Sequence, residues 1–325
     1  MAFSADQLLE KVNTYLATMP YVREPKGLYA PIEYVLSLGG KRIRPVLMLL
    51  SYQLYKENVD DILPQAAGIE TYHNYTLLHD DLMDRADMRR NKPTVHKVWD
   101  ENTAILSGDA MLVLAYRLMN NCPDSYLKQV MDIFSQTALE ICEGQQWDME
   151  FETRNDVTVP EYMEMIRLKT SVLLSAALKI GAVLGGASED DARKLYDFGI
   201  KMGLAFQLQD DYLDVYGDSK VFGKNIGGDI LCNKKTFMLI NALALADGIQ
   251  RKELEKWIAS TAFCPEEKIK AVTALYDKIG IGGICEEKIN AYYVEGLSLL
   301  ESMAVPSERK EELKSFVCHL MNRKV

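Results

Sequence analysis

Residues 195–214 read LYDFGIKMGLAFQLQDDYLD. From Leu195 to Leu208 the stretch is apolar nearly all round a helical wheel, which marks a helix buried in the middle of a bundle rather than lying on its surface. It runs straight into three aspartates, Asp210, Asp211 and Asp214. No proline occurs between Pro160 and Pro265, and that span is dense in Ala, Leu, Lys, Glu and Met, all good helix formers. Towards the C-terminus Leu313, Phe316, Val317 and Leu320 follow the i, i+3, i+4, i+7 spacing, and Ile289, Tyr292, Tyr293, Gly296 and Leu300 do much the same. Both read as amphipathic helices. Alternating β-branched runs bounded by hairpin turns are missing, and no solenoid repeat is evident. The expected class is all-α.

The chain of 325 residues could hold two average domains, but no Pro/Gly/Ser-rich linker divides it, so one domain over residues 1–325 is expected. Hydrophobic residues at 48% and charged residues at 26% exclude the disordered and fibrous classes. No apolar run is expected to reach the length of a membrane span. The start, MAFSADQLLEKVNTYL, lacks the apolar core of a secretory signal. A cytoplasmic location follows as the expectation. The net charge of −10 argues against nucleic acid as a partner. Cys122, Cys142, Cys232, Cys264, Cys285 and Cys318 form no CxxC pair and have no His at zinc-ligand spacing, so free buried thiols in a reducing compartment are expected.

The aspartates of the opening stretch belong to a DDxxD motif that occurs twice: Asp80-Asp81-Leu82-Met83-Asp84 and, 130 residues on, Asp210-Asp211-Tyr212-Leu213-Asp214. On a helix, positions i and i+4 share a face, so each motif presents two carboxylates in one direction. Like charges at that spacing repel and need a partner. Hard oxygen ligands so placed suit magnesium, which keeps several waters and shares its other positions with substrate phosphates. Alone, either motif reads as a solvated acidic turn; two copies, each behind a similar apolar helix (YTLLHDD and AFQLQDD), suggest a metal-assisted diphosphate clamp.

Such a site also needs fixed cations. Gly39-Gly40-Lys41-Arg42-Ile43-Arg44-Pro45 forms a tight junction between two helices, with Pro45 at an early helical position. Arg89-Arg90 follow the first acidic motif, where a guanidinium fork can hold a phosphate bidentately. Lys169-Thr170, Lys224 within FGKNIGGD, and Lys234-Lys235-Thr236 come later. Each cluster alone is an ordinary surface charge; their proximity to Gly-rich turns and aspartates is what joins them. His73, seven residues before Asp80, either donates to a phosphate or is a satisfied core histidine. His79 reads as structural, and His96 and His319 show no pattern.

The series GGKRIRP, LLHDDLMD, RRNKPT, LKT, FQLQDDYLDVYGD and GKNIGGDILCNKKT, in that order, resembles the trans-isoprenyl diphosphate (polyprenyl) synthases, which include farnesyl and geranylgeranyl diphosphate synthases. The resemblance implies a single large bundle of antiparallel helices around a deep central cavity, usually a homodimer. It implies magnesium, three ions per active site, with Asp80, Asp84 and Asp210 as ligands and Asp81, Asp211 and Asp214 supporting them. Lys41, Arg44, His73 and Arg90 match the family's isopentenyl diphosphate contacts. Arg89, Lys169, Thr170, Gln207, Lys224 and Lys234 match its allylic diphosphate contacts, with Lys169 and Lys224 also serving catalysis. The implied reaction is departure of diphosphate from the allylic substrate, attack by the isopentenyl double bond, and loss of a proton. DDLMD lacks the two extra residues that many bacterial farnesyl synthases carry inside this motif.

In this family the depth of the cavity below the first acidic motif limits product length. Thr76, Tyr75 and Tyr72 lie four, five and eight residues before Asp80. A helical turn rises about 5.4 Å, comparable with one isoprene unit, so bulk at Tyr75 is expected to stop growth after a few units. An aromatic at the fifth position with a small residue at the fourth resembles the short-chain synthases, which implies C15 to C20. The alternative is that Tyr75 and Tyr72 are core aromatics. Two other functions share some of these features: a class I terpene cyclase, which would not need GGKRIRP, and a non-catalytic partner subunit, whose acidic motif is usually degraded.

Overall fold

Helices make up nearly all the regular structure in the computed structural model, which describes residues 3–21, 23–217 and 226–321. In chain order they are α1 (Ala5–Thr18), α2 (Lys26–Ser37), α3 (Ile43–Gln53), α4 (Leu63–Met83), α5 (Val95–Val98), α6 (Glu101–Met119), α7 (Asp124–Thr153), α8 (Val159–Ile166), α9 (Val172–Gly185), α10 (Glu189–Tyr216), α11 (Gly228–Leu231), α12 (Phe237–Leu245), α13 (Gly248–Ala259), α14 (Pro265–Ile279), α15 (Ile281–Glu301) and α16 (Ser307–Met321). The all-α expectation holds. No residue from Leu195 to Asp214 is exposed, as the all-round apolar pattern of α10 requires. On the two amphipathic C-terminal helices, Gly296 and Leu300 of α15 and Leu313 and Val317 of α16 are buried.

Two compact units are distinguishable. The first comprises residues 1–136, 176–196 and 304–313. Here α4 packs against α6, α3, α1 and α2, around Ile32, Leu78, Val95, Ala104 and Met111. The second comprises residues 137–175, 197–303 and 314–325. In it α12 packs on α8, α14 and α15, and α13 on α14, with Tyr162, Leu208, Phe237, Leu254, Leu275 and Ile281 in the core.

Three expectations are revised, and one further local feature is found. A minimal hairpin does exist, Met88–Arg89 against Lys92–Pro93. Its two-residue loop, Arg90 at φ 51° and Asn91 at φ 61°, has the positive dihedrals of a type I′ turn but not the Asn-Gly that usually signals one. The helix runs on from Ile166 into Val172 through a π-helical turn, Arg167–Ser171. The continuous helical stretch Val159–Gly185 is long and apolar enough to cross a membrane by length and composition, where none was expected; 83% of its most apolar window is buried. All six cysteines are free, but only Cys285 is buried, and Cys142, Cys232 and Cys264 are exposed.

Candidate active site

In the first unit, GGKR lies between α2 and α3, and Ile43-Arg44-Pro45 opens α3. Gly39, Gly40 and Arg42 all take positive φ, at 76°, 134° and 46°. Left-handed backbone at a non-glycine residue persists only where its surroundings hold it there. Arg42 is held by a buried ion pair with Glu70 of α4 at 2.6 Å, the two side chains 3% and 2% exposed. It also donates to the Leu36 carbonyl at 2.7 Å, and Asn74 donates to Glu70 at 2.9 Å. Arg42 and its neighbours line a cavity of about 490 Å3, whose wall also includes Gly40, Lys41, Arg44, Glu70, His73 and Arg90.

Arg44 Nη1 donates to His73 Nε2 at 3.1 Å, so the neutral ring carries its proton on Nδ1. Burial, then the neighbouring Arg44, Arg90, Arg89 and Arg42, holds the His73 pKa well below its ordinary value. Burial also lowers the Arg44 guanidinium to about 10. Its buried Nε has no hydrogen-bond partner. Arg90 reaches the loop from the hairpin and donates to the Gly39 carbonyl. A Cβ at Gly40 would sit 2.8 Å from Arg90 Nη2. The positive φ favours glycine here, and a Cβ would also displace the Arg90 guanidinium. Lys41, Arg44, His73 and Arg90 therefore gather as a cationic, hydrogen-bond-donating pocket.

Asp80 and Asp81 are in the last turn of α4, and Asp84 is its C-cap. Asp81 is 5% exposed and accepts from Arg89 Nε with both oxygens, at 2.8 and 2.7 Å. Asp80 is partly buried and Asp84 exposed. His79 Nε2 is hydrogen-bonded to the Ile105 carbonyl at 3.2 Å. Tyr75 packs against Tyr72 and His79, with ring centroids 5.4 and 4.8 Å apart. Tyr72, fully buried, meets Phe134 edge-on at 5.2 Å. The Thr76 hydroxyl donates to the His73 carbonyl at 2.8 Å.

In the second unit, Lys169 and Thr170 sit in the π-helical turn, a distortion frequent at functional sites. Gly144 of α7 makes room for it, since a Cβ there would lie 2.5 Å from the Lys169 amide nitrogen. Lys169 Nζ pairs with Asp148 at 2.6 Å. Thr170 donates to Gln207 Oε1 at 3.2 Å, and Gln207 Nε2 donates to Asp211 at 3.2 Å. Asp211, 3% exposed, also accepts from Tyr162 Oη. Burial pushes the Asp211 carboxyl up to about 7, against the lowering effect of those hydrogen bonds. For Asp148, burial raises the pKa, but Lys234 and Lys169 outweigh it and leave it below the usual value. Asp214 accepts from the Asp229 amide at 3.0 Å, and Gly227 donates to the Asp214 carbonyl at 2.6 Å. Lys224 lies outside the described residues.

The pattern of motifs missed Arg42, Glu70, Asp148, Tyr162 and Asp229. Glu70 and Asp148 stand alone in apolar or mixed helices, and only their partners reveal them.

The aspartates of each DDxxD offer the hard carboxylate oxygens that magnesium takes, although among the described residues no three ligating side chains gather as a preformed metal site. Each DDxxD ends a helix, where the macrodipole is negative and carboxylates repel it as well as each other. Cations offset both effects.

A sequence model of the family described as polyprenyl synthetase matches residues 25–276. The chain is 41% identical over 273 residues to the short chain isoprenyl diphosphate synthase of Methanocaldococcus jannaschii, covering 84% of this chain and 83% of the relative. It superposes on a crystal structure of a geranylgeranyl pyrophosphate synthase with a TM-score of 0.91 at 45% identity, covering 98% of each chain. It also superposes on the geranylgeranyl pyrophosphate synthase of Corynebacterium glutamicum complexed with isoprenyl diphosphate and magnesium, with a TM-score of 0.88 at 26% identity, covering 99% of this chain and 100% of the other. With its acidic motifs and cationic pockets in this setting, the chain belongs to the polyprenyl synthetase family and is a prenyltransferase that makes short-chain trans-prenyl diphosphates.

Proposed function

We propose that the reaction is the magnesium-dependent condensation of isopentenyl diphosphate with an allylic diphosphate to a C15 to C20 product, by a single domain over residues 1–325 in a cytoplasmic homodimer. The carrying observation is the cavity that brings Lys41, Arg44, His73 and Arg90 together. Its cationic side chains match the negative charge of a diphosphate headgroup. We assign isopentenyl diphosphate to it.

The allylic diphosphate goes to Arg89, Lys169, Thr170, Gln207, Lys224 and Lys234. Asp80, Asp84 and Asp210 hold the magnesium, taken as three ions, and Asp81, Asp211 and Asp214 position them. Bound magnesium draws charge onto the leaving diphosphate and lowers the barrier to breaking the allylic C–O bond. Lys169 and Lys224 stabilise the same departing charge. At rest Lys169 is paired with Asp148, so it is held in place before a diphosphate arrives. The allylic carbon then bonds to the isopentenyl double bond, and a proton leaves the adjacent carbon. Tyr75 and Tyr72 limit the length of the growing tail.

Support for a single domain comes from the chain path: four of the five divisions between units fall inside helices, in α7, α9, α10 and α16, and the fifth in the short turn between α15 and α16. Support for the dimer comes from the outer face of α6, where Ile105, Leu106 and Val113 are 46%, 60% and 60% exposed.

The test is incubation of the purified chain with isopentenyl diphosphate and each allylic primer, with and without EDTA. Linear C15 or C20 diphosphate that vanishes with EDTA is expected. Cyclic hydrocarbon, or no turnover by the chain alone, would overturn the proposal.

A further inference from the structure

Lys268 of α14 is among the largest fully buried side chains, at 1% exposure. A buried ammonium is costly unless its protons are taken up by acceptors. Its Nζ donates to Asn233 Oδ1 at 2.7 Å and to the Leu231 carbonyl at 3.3 Å. The Phe263 ring lies 4.3 Å away and completes the shell.

Both hydrogen-bond acceptors lie on the turn that ends α11. Asn233 adopts φ 52°; its amide bonds to Ile230, and that of Lys234 to Asp229, at 3.2 and 2.9 Å. Those two bonds define a Schellman motif, with Asn233 at its left-handed position and Lys234 next. Asn233 is tied from the other side too, donating to the Ile258 carbonyl at 3.1 Å. A four-residue helix such as α11 cannot hold this geometry alone. At its start it is capped by Asp214, and at its end it is clamped by Lys268.

We propose that Lys268 is a positioning residue that fixes the turn carrying Lys234, and so sets affinity for the allylic diphosphate without touching it. The inference rests on the assignment of Lys234 to that diphosphate. Supporting it, Lys234 and Lys268 line one small cavity together with Asp211, Asp229 and Asn233. Methionine, similar in length, would fill the space of Lys268 with no charge to satisfy. A cation is therefore needed for the acceptors it holds rather than for packing.

The experiment measures KM for both substrates in K268M, K268R, K234A and K234A/K268M, with folding checked by circular dichroism. K268M is expected to raise the allylic KM about tenfold and leave the isopentenyl KM within about twofold. K268R, which keeps donors at the site, should recover most of the loss. K234A should raise the allylic KM further, and the double variant should be no worse than K234A, because Lys268 acts through Lys234. If K268M misfolds, N233G takes its place: glycine keeps the left-handed turn but removes the acceptor, and the same selective rise is expected. An unchanged allylic KM in K268M or N233G, a parallel rise in both KM values, or multiplying effects in the double variant would overturn the proposal. An unchanged allylic KM in K234A would instead overturn the assignment of Lys234.

Discussion

Replacing Gly40 by alanine tests whether the glycine loop positions Arg90. On the present backbone the new Cβ would lie 2.8 Å from Nη2 and 2.9 Å from Cζ of Arg90. At those distances something must move, and the guanidinium, at the end of a flexible side chain, yields first. It then gives up the Gly39 carbonyl and its place on the cavity wall. Alanine at φ 134° adds backbone strain of roughly 1–3 kcal/mol. A hydrogen bond to a charged group contributes roughly 1.5–3 kcal/mol, so loss of Arg90 should raise the isopentenyl diphosphate KM about 10- to 100-fold. The assay is steady-state incorporation of labelled isopentenyl diphosphate at saturating allylic primer, for G40A, R90A and G40A/R90A. G40A should leave the allylic KM nearly unchanged, and the double variant should match R90A. An isopentenyl KM within about twofold of wild type in G40A, alongside a clear defect in R90A, would refute the reasoning.

Arg42→Met strands the buried Glu70 carboxylate and should cost about 3–5 kcal/mol in a urea melt, with R42M/E70L recovering much of it; a loss below about 1 kcal/mol would show that the pair is dispensable. Tyr75→Ala should lengthen the product by about one isoprene unit, since the next ring down, Tyr72, is still braced by Phe134; an unchanged chromatographic profile would remove Tyr75 from length control. The folded chain holds His73 below its ordinary 6.5, so below that pH the unfolded chain binds the proton more readily. Stability should then fall with decreasing pH by up to ~1.4 kcal/mol per unit until the folded pKa is reached. Melts at pH 7.5, 6.5 and 5.5 should show a steeper loss for wild type than for H73Q, and parallel profiles would refute this.

The chemistry was legible in the residues because it depends on side chains at fixed local spacing. DDxxD on a helix, GGKR at a helix junction and the all-round apolar stretch of α10 are all short-range patterns. What holds those residues in place was not legible, since it depends on contacts far apart in sequence. Arg42 looked like one more basic residue of GGKRIRP, yet it is the least exposed of them and is spent on Glu70, 28 residues away. Asp148 is an unremarked acid in α7 until Lys169, 21 residues on, pairs with it. The hairpin was missed for a different reason. Arg90-Asn91 is a poor type I′ sequence, and the turn is held from outside, by Tyr34 on the Pro93 carbonyl at 2.7 Å and by Thr94 on the Ala86 carbonyl at 2.7 Å. The π-helical turn follows the same logic. Nothing in RLKTS asks for it, but close contact with Gly144 accommodates it.

The two acidic motifs show how one five-residue pattern serves two purposes. In each, the second aspartate is the most buried: Asp81 at 5% and Asp211 at 3% exposure. Each is committed to protein donors, Asp81 to Arg89 and Asp211 to Tyr162 and Gln207. Successive helical positions differ by about 100°, so fixing the second carboxylate inward turns the first and fifth together onto another face. The buried aspartate thus acts as a rotational anchor for its helix end. It also resists the repulsion that the macrodipole and the paired carboxylates exert on the last turn. Of the two anchors, Asp81 is paired directly with the Arg89 guanidinium, whereas Tyr162 and Gln207, both neutral, donate to Asp211 and the Lys234 ammonium acts on it electrostatically. Asp81→Asn therefore leaves Arg89 without its counterion, while Asp211→Asn keeps a neutral acceptor for Tyr162. On this argument the first substitution disturbs its motif more than the second, even though the two aspartates hold the same place in identical patterns.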